Sequence, residues 1–158
     1  MNTSLVLALA FAIGVIAGLR ALTAPAVVCW AAHLGWINLQ GSRMAFLGAT
    51  VTVVIVTLLA LAELINDKLP ATPSRTTPMP FGTRIVMGGL CGAALAMAGG
   101  QRAPLGLIVG IVGAVVGTFA GYQARHQIVT QLKVNDIAVA LTEDLIAIGG
   151  ALLIVTRF

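Results

Sequence analysis

Five acidic residues occur in the 158-residue chain, and four of them fall into two close pairs, Glu63 with Asp67 and Glu143 with Asp144. Residues four apart share one face of a helix, so Glu63 and Asp67 present two carboxylates to the same neighbour. Glu63 follows a stretch without charge over 45–62, which sets it below the water line of a bilayer. Arg20 is the basic residue placed well inside an expected membrane span. Ionisable groups in such places are costly and mark ion paths, proton relays or ligand counter-ions. The chemistry these five residues support is binding of a cation or a proton by carboxylate, with Arg20 as counter-ion or anion anchor. Burial favours the neutral form of a carboxylic acid and a nearby guanidinium favours the charged form, so such a set can couple proton uptake to substrate movement. The competing reading is a salt bridge that only locks helices together.

A second set of donors follows at once. Lys68, Ser74 and Arg75 lie in a proline-rich stretch and suit a phosphate or lipid headgroup, or serve only as topology-setting charge. Arg75 is followed by Thr76 rather than proline and no Pro-Ser-Gly-His element occurs, so the pattern of membrane lipid phosphatases is not met. His33 and His126 have no nucleophile or metal partner in sequence and read as interfacial histidines. Cys29 and Cys91 stand alone in apolar surroundings without metal-ligand spacing, and read as small buried hydrophobes. No Walker loop, dinucleotide fingerprint or nucleophile elbow is present, so no catalytic residue, metal or cofactor is assigned.

The elements that must position these groups follow from composition. Apolar residues make up 59% of the chain, charged residues 9%, and the mean hydropathy is +1.03. A soluble domain has about 25% charged residues, so lipid must cover the surface that polar side chains do not. The net charge of +4 sits in loops and reports membrane topology before nucleic acid. The N-terminal apolar run reaches Leu19 without a basic leader and is expected to be a retained span rather than a cleaved signal.

The expected fold is all-α, a polytopic membrane bundle of about five transmembrane helices. Helix 1 is placed at 4–24, helix 2 at 44–68, helix 3 at 82–99, helix 4 at 104–122 and helix 5 at 136–156. The apolar segment 25–36 is too short to span and fits a re-entrant or interfacial helix, with Trp30 and Trp36 suited to the interface. The polar segment 123–135 is expected to lie at the interface. Four prolines (Pro70, Pro73, Pro78, Pro80) make the loop 69–80 extended and stiff. Small residues recur every fourth position: Gly14 and Gly18 in helix 1, Gly88 and Gly92 in helix 3, and two rows in helix 4 containing Gly110 and Gly113, Gly117, Gly121. Between helices in lipid, close backbone approach supplies the packing energy. Two rows make helix 4 the central helix.

Gly14 to Gly18 resembles Gly117 to Gly121, and Ala60 to Glu63 resembles Ala140 to Glu143. This reads either as an inverted repeat (4–68 and 104–156 around a linking helix at 82–99) or as chance similarity between Gly/Ala-rich helices. The whole chain is one integral membrane domain on either reading. Five spans would put Lys68, Arg75, Arg84, Arg125 and Lys133 on the N-terminal side and Arg43, Arg102 and Arg157 opposite. The positive-inside rule then gives a cytoplasmic N-terminus in a bacterial cytoplasmic membrane.

Gly18-Leu19-Arg20 followed by Ala24-Pro25, the run Ala62-Glu63 with Asp67-Lys68-Leu69-Pro70 and Pro73-Ser74-Arg75, and Gly117 with Gly121 together resemble the bacterial membrane family catalogued as domain of unknown function four-one-two-six. The resemblance covers nearly the whole chain. It implies a small polytopic protein and supplies no established activity. The residues themselves point to a small transporter or channel-like protein, proton- or cation-coupled, embedded in the bilayer as a homo-oligomer and moving a small ion or molecule. A membrane scaffold with structural charges is the alternative, and a lipid-headgroup-binding or lipid-modifying protein the third.

Overall fold

The computed structural model describes residues 1–67, 77–131 and 136–158. In order they form α1 (Thr3–Leu19), α2 (Thr23–His33), a 3₁₀ turn (Ala45–Gly48), α3 (Thr50–Asn66), α4 (Pro78–Ala98), α5 (Ala103–Gln131) and α6 (Asp136–Val155), with no strand among the described residues. Helices α4, α5 and α6 are long and apolar enough to cross a membrane, which makes this an integral membrane protein. Helices α1 and α3 are apolar but only 17 residues each, about 25 Å against a hydrocarbon core of about 30 Å.

Small residues set the arrangement. Gly14 faces the backbone of Gly110, and Gly18 faces Ala114, Gly117 and Thr118, so α1 and α5 run side by side in the same direction. Gly88 lies against Gly110 and Ala114, and Gly92 against Gly106 and Gly110, so α4 runs opposite to α5. Gly106, Gly110 and Ala114 form the row of α5 that meets α4, while Gly113 and Gly117 form the row that meets Phe11 and Val15 of α1. A β-carbon on Gly14, Gly92, Gly110, Gly113 or Gly117 would land on a neighbouring backbone carbonyl. Gly121 is buried on the same helix. Backbones this close gain dispersion contacts that lipid chains cannot match.

The first helix ends earlier than expected. Leu19 closes α1, Arg20 takes an extended conformation (φ −137°, ψ 110°), and the chain reverses into α2. Pro25 does not end α1; it is the third residue of α2, where a missing N–H costs no intrahelical bond. Helix α2 then runs back along the bundle. Its Val28, Cys29 and Ala31 share one core with Cys91, Leu95, Ala147 and Ala151. Both cysteines are buried free thiols. Helix α3 runs against α2, tied by the Trp30 indole N–H to the Thr57 hydroxyl (3.0 Å) and by His33 Nδ1 to the Gly48 carbonyl (2.9 Å).

Other boundaries shift for local reasons. Helix α4 starts at Pro78 rather than 82, because prolines in a first turn stabilise a helix start. Helix α5 continues to Gln131 instead of giving way to an interfacial segment after Tyr122, since no Gly or Pro follows Gly121 before its end. The ring of His126 stacks on Tyr122, its neighbour one turn earlier (centroids 6.2 Å apart).

The hairpin changes the topology. Gly99 meets Val6 and Gly150 meets Ile16, so the N-terminus, the α4–α5 turn and the C-terminal end of α6 share one end of the bundle. The end of α3 and the start of α4 lie at the other. The N-terminus is therefore opposite Arg84 and Arg125, not beside them as five spans would have it. Nor do the halves relate by one inversion. Helices α1 and α5 run the same way, while α3 and α6 run opposite ways.

Two outcomes follow. Reporters fused before Met1 and after Phe158 should read the same compartment, and one inserted between α3 and α4 the opposite one; differing termini would refute the hairpin. Gly110→Leu should lower stability by about 1–3 kcal/mol through overpacking, read as a drop in melting temperature in detergent. Gly149→Leu should not, because a β-carbon at Gly149 meets nothing within 4 Å.

Candidate functional site

The reversal at Arg20 exposes backbone groups that neither helix can satisfy. Helix α1 ends with unpaired carbonyls, and the turn before α2 leaves N–H groups without partners. Leu22, at the cap position of α2, has no side-chain oxygen to offer. Glu63 supplies it from α3. One carboxylate oxygen accepts the N–H of Ala21 and the other that of Leu22, each at 2.8 Å. On the α1 side, the Thr118 hydroxyl of α5 lies 2.8 Å from the carbonyl of Ala114 and 3.2 Å from that of Gly18. A buried backbone group left without a partner costs about 1–3 kcal/mol, so these contacts hold the hairpin tip.

Arg20 is fully buried and carries the charge of that tip. Its guanidinium pairs with Asp67 at the end of α3 and, at 2.7 Å, with Asp144 of α6. Three separate elements thus meet on one side chain. Asp144 is about 12 Å from the start of α6, a helix about 30 Å long, while Arg20 and Asp67 cap the ends of α1 and α3. Arg20 Nε and the Thr23 hydroxyl are buried without a hydrogen-bond partner among the described residues.

The two acidic pairs behave differently. Glu63 and Asp67, four apart, both reach the hairpin tip, but only Asp67 meets Arg20, while Glu63 binds backbone. Glu143 and Asp144 are adjacent, so about 100° of helix separates them. Asp144 points to Arg20, whereas Glu143 is 3.9 Å from Arg125 of α5. Arg20, Glu63, Asp67, Glu143 and Asp144 are therefore all at one level. Lys68, Ser74 and Arg75 lie outside the described residues. Among the described residues no three His, Cys, Asp or Glu side chains group to hold a metal ion.

Arg84 and Arg125 were not read as part of this level. Arg84 is 3% exposed and donates to the carbonyl of Pro80 at 3.5 Å. Counting the proline loop to residue 80 made it a loop charge, whereas helix-starting prolines at Pro78 and Pro80 put it two turns inside α4. Thr118 carried no sequence signal beyond its place between Gly117 and Gly121.

A family model described as domain of unknown function (DUF4126) matches residues 7–157. No curated protein and no solved structure matches the chain.

Arg20→Met should strand two carboxylates in low dielectric and cost about 3–5 kcal/mol. Adding Asp67→Asn and Asp144→Asn to it should recover much of that loss. Thermal melts of the single and triple variants check this; a triple variant no more stable than the single would refute the pairing.

Proposed function

The chain belongs to the DUF4126 family, whose model spans nearly all of it, and from that premise we propose that it is a small transporter or channel-like protein whose buried site takes up a proton or a monovalent cation. The observation that carries this reading is a cluster of ionisable groups buried together inside the bundle. One guanidinium, Arg20, faces two carboxylates, Asp67 and Asp144, and Glu63 stands beside them on backbone N–H groups. Charged carboxylates away from water are costly, and a proton or cation taken up by one of them lowers that cost. The break in the chain between α1 and α2 supports the same reading, because irregular backbone at membrane depth occurs where it is buried in protein or lines a path. So do the unpartnered Arg20 Nε and Thr23 hydroxyl.

The complete burial of Arg20 favours a second reading, a structural lock in a membrane scaffold. The two differ at Asp144. In a lock its charge matters only for stability. In a transport site its neutral form is part of the cycle.

By the loop charges, the α3–α4 end faces the cytoplasm and both ends of the chain face outward. Helix α3 turns Val51, Ile55, Leu58 and Ile65 away from the bundle, which supports assembly with further copies as well as contact with lipid.

The test is flux in proteoliposomes loaded with a pH-sensitive dye under an imposed potential. The wild-type protein should carry protons or a monovalent cation. Asp144→Asn should stay folded, because Asp67 still neutralises Arg20, and should lose the pH dependence of flux. Absence of wild-type flux with every common monovalent cation would defeat the transport reading, as would an Asp144→Asn variant whose flux keeps its pH profile.

A further inference from the structure

All five acidic residues of the chain lie toward one end of the bundle. Glu63 and Asp67 stand at the end of α3, and Asp136, Glu143 and Asp144 fall in the first half of α6. The opposite end, where α1 begins, α4 turns into α5 and α6 finishes, holds Arg43, Arg102 and Arg157 and no acidic side chain. All three arginines are exposed, and none has an ion pair or a side-chain hydrogen bond among the described residues. They border one core, on which Met44 and Phe158, the neighbours of Arg43 and Arg157, pack together with Met97 and Ala98 of α4.

The segment between α2 and α3 gives the same end an apolar rim. Helix α2 closes on Gly35, whose positive φ (76°) lets its N–H bond to the Ala32 carbonyl and that of Trp36 to the Ala31 carbonyl. Beyond the cap the side chains alternate. Ile37 and Leu39 are buried, while Trp36, Asn38 and Gln40 are exposed. The Ser42 hydroxyl then turns the chain, donating to the Leu39 carbonyl (2.7 Å) and accepting the Met44 N–H (3.1 Å). The result is a held surface on which the rings of Trp30, Trp36 and Phe46 stay exposed beside Arg43.

We propose that this acid-free end binds the headgroups of anionic phospholipids. A guanidinium recognises phosphate through paired N–H···O bonds, and indole and phenyl rings beside it suit the boundary between headgroup and acyl chain. With no acidic neighbour, these arginines have no side-chain alternative to a lipid phosphate. Topology does not account for them, since under the orientation proposed above they stand on the side where the positive-inside rule disfavours Arg. Zwitterionic lipids bring a cation with each phosphate, so arginine without acid selects anionic ones. An acidic protein face would match the arginines and leave the exposed rings without a partner; a lipid leaflet matches both. The assignment does not depend on what the buried cluster carries.

Trp30 and Trp36 are the two tryptophans of the chain, so its fluorescence reports the lipids at this end. The test reconstitutes the full chain in phosphatidylcholine vesicles that contain equal minor fractions of brominated phosphatidylglycerol or brominated phosphatidylcholine. Bromine in both leaflets makes the direction of insertion immaterial. The brominated phosphatidylglycerol should quench as though enriched at least about twofold around the tryptophans, and added salt should shrink that excess. The variant carrying Arg43→Gln, Arg102→Gln and Arg157→Gln should lose the excess and keep its quenching by brominated phosphatidylcholine. Equal quenching by the two lipids in the wild type would overturn the inference and leave an acidic protein face as what the arginines meet. An excess that survives in the triple variant would overturn it too. If thermal melts show the triple variant unfolded, Arg43→Gln, which alters the arginine on the tryptophan-bearing segment, is measured alone. It should reduce the excess, and an unchanged excess would sink the proposal.

Discussion

A guanidinium buried inside a membrane helix bundle dictates most of what surrounds it. Charged Arg at the centre of a lone helix costs at least about 2.5–3.5 kcal/mol to insert. Here Arg20 is fully buried, so the cost must be met by protein and not by water. Asp67 meets it by ending α3 at this level, and Asp144 by placing an acid at the middle of α6. The hairpin turn that presents Arg20 opens backbone N–H groups in turn, and Glu63 exists at the right height to take them. Each of these residues makes sense only with the others in place.

The second constraint is the distance between backbones. Arg20 can sit at the end of α1 only because α1 lies flush against α5, and that requires Gly14, Gly18, Gly110, Gly113 and Gly117 to have no side chain. Helix α4 seals the other side of α5 by the same device. Helices α2 and α3 contain no glycine and are tied to each other through Trp30 and Thr57. The glycine-packed part of the bundle is thus α1, α4 and α5, and the charges sit where the α1–α2 turn, α3 and α6 meet it. A site that must change protonation or occupancy gains from partners that are less tightly held.

Sequence pattern alone grouped residues that the structure brings together and misjudged how they meet. The four-residue rows of glycine named the tight interfaces, and the two rows on α5 correspond to two neighbours, because lipid leaves small-residue contact as the main packing signal. The isolated acids in apolar segments named the polar level for the same reason. What could not be read was direction. Pro25 looked like a helix stop, although proline serves equally well in a first turn. With segment 25–36 taken as re-entrant or interfacial rather than as a returning helix, the count of spans fell to five and the N-terminus was placed beside Arg84 and Arg125. Arg84 was lost to the same rule at Pro78. Which acid pairs with which base depends on helix rotation to within a fraction of a turn, and spacing alone does not supply that.

The hairpin tip also has a history on the ribosome. Arg20 emerges early, Asp67 some fifty residues later, and Asp144 only near the end of synthesis. At about 5–20 residues per second, Arg20 waits on the order of ten seconds for its last partner. Until Asp67 follows, α1 is a short apolar helix with an uncompensated cation at its tip. Snorkelling toward water or headgroups is the cheap place for such a group. Asp144 is the last partner to arrive, so synthesis of this small protein ends as its charge cluster closes.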